Sequence, residues 1–230
     1  MFRVTRGLGV VSVLMLGVAS VSQAQWRGLR EVQPSVGPQA GVDLLFGVPQ
    51  GQFRQFVQSV GGFGGFLTVP VTRSGGLGIR LEGSMVFHGG NCYQGCDLET
   101  NSYIGTLRAG PQITLGTGRV RMYGLATAGF SYFATDLNDR YDCGCYGYGN
   151  NTLLDDFTGS WEAGGGIQMF LGSRGRVAID LGARYQDNGR ASYLNNSSVH
   201  SNGDGTFTVT PIRTSANLVL YHLGLSFVIP

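Results

Sequence analysis

Residues 77–87 read Leu77-Gly78-Ile79-Arg80-Leu81-Glu82-Gly83-Ser84-Met85-Val86-Phe87, and this strict alternation decides the fold. Leu77, Ile79, Leu81, Met85 and Phe87 share one face, while Gly78, Arg80, Glu82 and Ser84 share the other. A period of two means a β-strand, because successive side chains leave the pleat on opposite sides. The pattern returns at 176–186, where Val177, Ile179, Leu181, Ala183 and Tyr185 oppose Arg176, Asp180, Gly182, Arg184 and Gln186. It returns again near the C-terminus, with Val219, Tyr221, Leu223, Leu225 and Phe227 opposite Leu220, His222, Gly224 and Ser226. A soluble sandwich would turn the apolar face to a core. With charges and glycines recurring on the second face, such strands close with the apolar face outward, and the surrounding solvent is then lipid. The chain therefore reads as all-β, an antiparallel up-and-down transmembrane β-barrel.

The N-terminus supplies a route of export. Arg3 and Arg6 form a basic region, residues 8–21 an apolar one, and Ser22-Gln23-Ala24 offers small residues for cleavage before Gln25. The apolar stretch of about 14 residues is too short for an anchor helix, which needs roughly 20. Residues 1–24 thus read as a signal peptide, 25–39 as a periplasmic N-terminal extension and 40–230 as the barrel, with no cysteine near the cut to carry a lipid anchor. About 200 residues then remain, a size that all-β barrels occupy as one domain. The rest of the chain has no apolar run of spanning length, which excludes helical insertion. A net charge of +2 gives no concentrated basic face for nucleic acid. Many of the 39 glycines fall inside strand patterns, where a narrow barrel uses them to make room for large interior side chains.

Eight strands are expected, at about 40–48, 57–71, 76–88, 102–115, 119–133, 157–171, 176–187 and 211–229. In the first, Val42, Leu44, Phe46 and Val48 point outward and Asp43 and Leu45 inward; Phe63, Leu67, Val69 and Val71 give the second its lipid face. Both faces of the fifth mix small and aromatic residues, so its facing stays open. Tight turns at 72–75, 116–118 and 172–175 alternate with longer loops at 49–56, 89–101, 135–156 and 188–210. Bacterial outer-membrane barrels keep short turns in the periplasm and long loops outside. That orientation puts Phe87, Tyr103, Trp161 and Tyr185 near the outer ends of their strands, as an aromatic girdle.

This arrangement resembles the small eight-stranded OmpA/OmpX-type outer-membrane barrels over nearly the whole exported chain, without a peptidoglycan-binding domain. The resemblance implies a monomer in the outer membrane of a Gram-negative-type bacterium, in contact with outer-membrane lipid and carrying no cofactor. It also implies that the barrel assembly machinery reads the last strand, Leu218 to Phe227, although Val228-Ile229-Pro230 after the aromatic departs from the usual ending.

Asp43, Arg80, Glu82, Arg108, Glu162, Asp180, Arg184 and His222 all fall on the expected inner face, as do Gln112, Thr114 and Gln168. Eight strands enclose a space that side chains just fill. Buried charges must be paired or hydrated, so a ladder of ion pairs plugging the lumen is expected. Placing the third turn at Ser173 sets Glu162 directly opposite Arg184. The functional alternative is a narrow gated pore in which the pairs exchange partners. A third reading, by likeness to the outer-membrane lipid A acyltransferases and deacylases, needs a nucleophilic serine beside a histidine and a carboxylate. His222 with Ser226, His88 with Glu82 and Ser84, and His200 with Ser197, Ser198 and Ser201 are the candidates, and none shows that constellation in sequence. No residue is assigned a catalytic role.

All four cysteines fall in two outer loops, Cys92 and Cys96 in one and Cys143 and Cys145 in the next. An oxidising compartment and an even count favour disulfides over a zinc site, for which C-x3-C and C-x-C are unusual spacings. Cys92–Cys96 closes a feasible small loop and Cys143–Cys145 a very tight one; cross-loop bridges leave all three connectivities open. Tyr93, Tyr146 and Tyr148 flank the cysteines as candidate contacts for an extracellular partner. The membrane-extracted protein is expected to run faster unboiled than boiled in dodecyl sulfate. No shift, with release by a salt wash, would instead mark a soluble, ligand-carrying barrel.

Overall fold

Residues Gln39–Pro49 and Leu218–Val228 pair antiparallel along their whole length, from Gln39↔Val228 to Pro49↔Leu218, and so join the two ends of the sheet. Closure leaves no row of unpaired backbone groups, which lipid would not tolerate. The computed structural model describes residues 36–93, 98–139, 151–172, 175–193, 199–201 and 207–229. In chain order the strands are β1 (Gln39–Pro49), β2 (Val60–Pro70), β3 (Leu77–Tyr93), β4 (Leu98–Leu115), β5 (Val120–Asp139), β6 (Asn151–Leu171) and β7 (Val177–Asn188). Four short ones follow, β8 (Arg190–Tyr193), β9 (Val199–Ser201), β10 (Phe207–Val209) and β11 (Ile212–Ser215), before β12 (Leu218–Val228). The barrel runs β1-β2-β3-β4-β5-β6-β7-β12 and closes on β1, every neighbouring pair antiparallel.

The facing is inverted relative to a soluble protein. Leu44 (68% exposed), Val42, Phe46, Phe63, Leu81, Leu107, Trp161, Leu181, Tyr221 and Leu225 all lie on the outside, while Arg80, Glu162 and Asp180 are fully buried. The girdle aromatics pair across strands: Phe87 lies opposite Tyr103, and the Trp161 and Tyr185 rings are 5.8 Å apart. The facing of β5 is now resolved. Arg121, Tyr123, Leu125, Thr127, Ser131 and Phe133 point inward, and Met122, Ala126, Ala128 and Phe130 outward.

Several boundaries differ from the sequence reading. β2 begins at Val60 rather than near 57, because a 3-10 turn at Phe53–Gln55 carries Phe53 into the interior. Val71 lies just past β2, still exposed. β3 to β6 extend well beyond the expected loop edges, since extended pairing continues above the apolar belt, with register shifts at His88/Asn91 and Thr135/Asp136. The expected last strand splits: Ile212–Ser215 pairs with Arg190–Tyr193 as a separate ribbon, and β12 starts only at Leu218. Arg176, expected on the inner face, lies exposed before β7. The signal peptide, Cys96, Cys143, Cys145, Tyr146 and Tyr148 lie outside the described residues, and Cys92 and Tyr93 end β3 opposite Glu99 and Leu98.

Gly62 shows why glycine belongs inside these strands. A Cβ there would fall on the Met85 carbonyl oxygen and 2.7 Å from the Val86 Cα, both backbone atoms that cannot step aside. Gly61, one position along and facing out, has nothing within 4 Å. Gly62→Val is expected to abolish the heat-modifiable folded band after refolding into micelles, whereas Gly61→Val keeps it. Equal folding of both variants would contradict the close approach of β2 to β3.

Candidate functional site

The lumen is built from the inward positions of all eight barrel strands. At its short-turn end Arg121 stacks over the Phe170 ring at 4.7 Å, above Ala178 and Val228. Next, Arg80 on β3 lies over Phe66 from β2 at 3.7 Å and donates from Nη1 to Gln112 Oε1 at 3.1 Å. Thr68 donates to the same oxygen at 3.2 Å. Opposite them, Asp180 on β7 accepts from the Tyr123 hydroxyl at 2.8 Å and from Gln168 Nε2 at 3.0 Å. His222 Nε2 joins this group, 2.9 Å from the Tyr123 oxygen and 3.3 Å from Asp180 Oδ1.

The centre belongs to Glu82. Its Oε2 is 2.9 Å from Arg80 Nε and 3.0 Å from Arg184 Nη1, and its Oε1 is 3.5 Å from Arg108 Nε and accepts from the Thr127 hydroxyl at 2.8 Å. Arg108 and Arg184 also share Glu162, at 2.6 and 3.2 Å, and Arg184 Nη2 reaches Asp43 at 3.6 Å. All eight residues expected in the network are buried; Asp43, Arg80, Glu82, Arg108, Glu162 and Arg184 are joined by arginine–carboxylate ion pairs, and Asp180 and His222 contact each other. Pairing of the arginines with carboxylates is the condition for keeping such ions out of bulk water, while Asp43 Oδ1, Arg80 Nη2, Arg108 Nη1 and Arg184 Nε make no hydrogen bond among the described residues.

The contact between Glu162 and Arg184 is present, but the register behind it is corrected. Glu162 lies opposite Gln186, and Arg184 lies opposite Gly164, because the turn centres one residue later than Ser173. Arg184 reaches Glu162 on the diagonal, across a position that has no side chain. A Cβ on Gly164 would lie 3.0 Å from Arg184 Cγ.

Above the ions come polar pairs: Ser84 with Thr106 at 2.7 Å, Ser131 with Asn188 at 2.7 Å, and Ser102 with Thr135 at 3.0 Å. Sharing that level and capping it is an apolar cluster of Leu45, Phe53, Val60, Val86, Ile104, Phe133, Leu218 and Leu220. His88 packs edge-on against Phe53, with ring centroids 5.4 Å apart. The sequence reading followed charges and missed this plug. Its trace is present all the same: inward positions turn apolar toward the outer ends of strands, as Leu218 and Leu220 do above His222. Phe53 sits in a polar loop with no periodicity to mark it. Tyr123 was missed because β5 could not be oriented.

The serine, histidine and carboxylate candidates are not brought together. Ser84 bonds Thr106, Glu82 serves the arginines, His88 faces Phe53, and His222 bonds Tyr123 and Asp180 rather than Ser226. His200 pairs with Thr208 in the β9–β10 ribbon. At the outer rim, the Ser192 backbone N–H donates to Asp156 at 2.8 Å and the Phe157 N–H at 2.7 Å, which holds that carboxyl below the usual range and ties the β8–β11 ribbon to β6.

No family model and no curated protein matches the sequence. Among solved structures, Neisserial surface protein A is similar at 13% identity, with 84% of this chain and 97% of that one covered and a TM-score of 0.50. Ail, the attachment invasion locus protein of Yersinia pestis, is similar at 12% identity over 84% and 99% of the two chains, with a TM-score of 0.47. OprG of Pseudomonas aeruginosa is similar at 13% identity over 86% and 98%, with a TM-score of 0.42. The first likeness is one of fold, and the fold is that of the small eight-stranded outer-membrane barrels.

Removing one partner from a buried ion cluster strands the others, at a cost of about 3–5 kcal/mol. Glu82→Gln is therefore expected to lower the free energy of urea unfolding in lipid by about 3 kcal/mol, and Thr127→Val by only about 1 kcal/mol. A loss below about 1 kcal/mol for Glu82→Gln would show that the network does not hold the barrel together.

Proposed function

We propose that the protein is an outer-membrane barrel with a structural or surface-interaction role, exported under the segment 1–24 and oriented with its short turns in the periplasm. The observation that carries this reading is the closed lumen. Side chains from all eight barrel strands cross it, charged at mid-height and apolar at the outer end, where Phe53 is fully buried. A sealed interior leaves the chemistry of the molecule to its lipid face and its two ends. The extension of β3, β4, β5 and β6 beyond the girdle supports a role for the outer end, because it carries paired backbone of polar sequence above the lipid. In this reading the protein has no lipid-modifying activity. The loop cysteines form disulfides that brace this outer sheet, and Tyr93, Tyr146 and Tyr148 meet a partner outside the cell.

A pore is the reading to beat, and conductance separates the two. The purified protein in a planar bilayer is expected to show no single-channel steps. Regular ohmic steps that Phe53→Ala enlarges would replace the sealed barrel with a gated pore. Mass spectrometry of the unreduced protein is expected to find all four cysteines in disulfides, and four free thiols would remove the brace. Lipid A from a deletion strain is expected to match the parent strain. An altered acylation pattern restored by the intact gene would establish an enzyme.

A further inference from the structure

The three short connections, residues 71–76, 116–119 and 172–176, contain no Asp or Glu and place Arg73, Arg119 and Arg176 at one end of the barrel; Arg174, also in the third connection, lies outside the described residues. All three are exposed, and none has an ion-pair partner among the described residues. Asp180, on the β7 that follows Arg176, is buried and bonded to Tyr123, Gln168 and His222. The opposite end mixes signs, with Arg54, Arg190 and Arg213 alongside Asp155, Asp156 and Asp187. Without residues 1–24 the arginines and carboxylates balance at 14 each, yet among the described residues the short-turn end carries an unbalanced cationic rim.

The position of that rim identifies its partner. The outward apolar belt runs right down to the turns: Val71 is 62% exposed, Leu115 65% and Val120 55%, with Leu171 and Ile229 completing the edge. An arginine one or two residues beyond such an edge can lay its stem on the apolar surface and hold its guanidinium at headgroup level. The three arginines also stand on three separate turns, at the β2–β3, β4–β5 and β6–β7 junctions, so they divide the circumference rather than converge on one point. Arg121 points inward onto Phe170 and takes no part. A spread-out anionic partner at the lipid boundary fits this layout, and the planar guanidinium fork is suited to phosphate oxygens.

We infer that Arg73, Arg119 and Arg176 form a collar that binds the phosphate groups of anionic phospholipids in the leaflet facing the periplasm. The inference rests on the outer-membrane reading above. The test uses the mature protein in phosphatidylcholine bilayers with trace spin-labelled phosphatidylglycerol or phosphatidylcholine, comparing the motionally restricted fraction of each. Wild type is expected to prefer phosphatidylglycerol at least about twofold at low salt and less at high salt. The triple variant Arg73→Gln/Arg119→Gln/Arg176→Gln is expected to lose the preference, and Arg54→Gln/Arg190→Gln/Arg213→Gln to keep it. A wild type without preference, or a collar variant that retains it, overturns the collar. Co-sedimentation with purified cell-wall sacculi that depends on the three arginines, without lipid preference, also overturns it, in favour of wall carboxylates. Heat-modifiable mobility, run on every sample, keeps the two levels apart. Its absence in wild type sinks the membrane reading, whereas its presence without lipid preference sinks the collar alone.

Discussion

One carboxylate, that of Glu82, receives three guanidiniums that come from β3, β4 and β7, and a hydroxyl from β5. Those strands are not all neighbours in the sheet, so the contact ties opposite walls of the barrel across its axis. Backbone ladders fix each strand only to the next. The side chains that cross the lumen fix the cross-section, and Glu162 and Asp43 extend the bracing to β6 and β1. A low-dielectric shell of lipid and aliphatic side chains strengthens each of these attractions and raises the cost of leaving any member unpaired.

Lipid also explains why the interior changes character along the axis. At the level of the belt the outside is apolar, burial of apolar groups inside brings no advantage over exposure to lipid, and polar groups that satisfy one another can occupy the lumen. Toward the outer end the walls meet water again, and an ordinary hydrophobic core becomes worthwhile. Phe53, Val60, Phe133 and Leu218 supply it, joined by Ala191 and Ala216 from around the β8–β11 ribbon. The ribbon therefore sits on the barrel by the same apolar packing that seals it.

Alternation was legible wherever lipid enforced it, as in 77–87 and 219–227, since each outward position there had to be apolar and each inward one compatible with a crowded lumen. It failed at three kinds of place. Above the girdle, in Asn91–Tyr93 and Leu98–Asn101, the sequence loses its alternation, and paired strand reads as loop. In β5 the outward Ala126 and Ala128 alternate with an inward Tyr123 and Leu125, so hydropathy alone leaves the facing open. At the β6–β7 turn, the width of a single residue moved the pairing by two positions, yet the long arms of Arg184 and Glu162 still met. The network could be read from charge and parity because arginine and glutamate reach far enough to forgive a register error. Phe53 could not be read, because a buried loop residue is defined by what it covers and not by its neighbours in sequence.

With the lumen filled, the two ends of the barrel are the surfaces left for contact beyond the lipid, and they differ in length and in charge. The short-turn end has little chain for recognition: its three connections are four to six residues long, and among the described residues their charges are arginines without ion-pair partners at the edge of the apolar belt. The other end carries the long strands, the apolar cap and the ribbons, with charges of both signs. Lipid contact needs only sign and spacing, which short turns can supply, whereas discrimination among partners needs a shaped surface, which they cannot. Under the function proposed above, the asymmetry of the fold suits one end to anchoring and the other to recognition, with the Glu82 network holding both in a fixed relation.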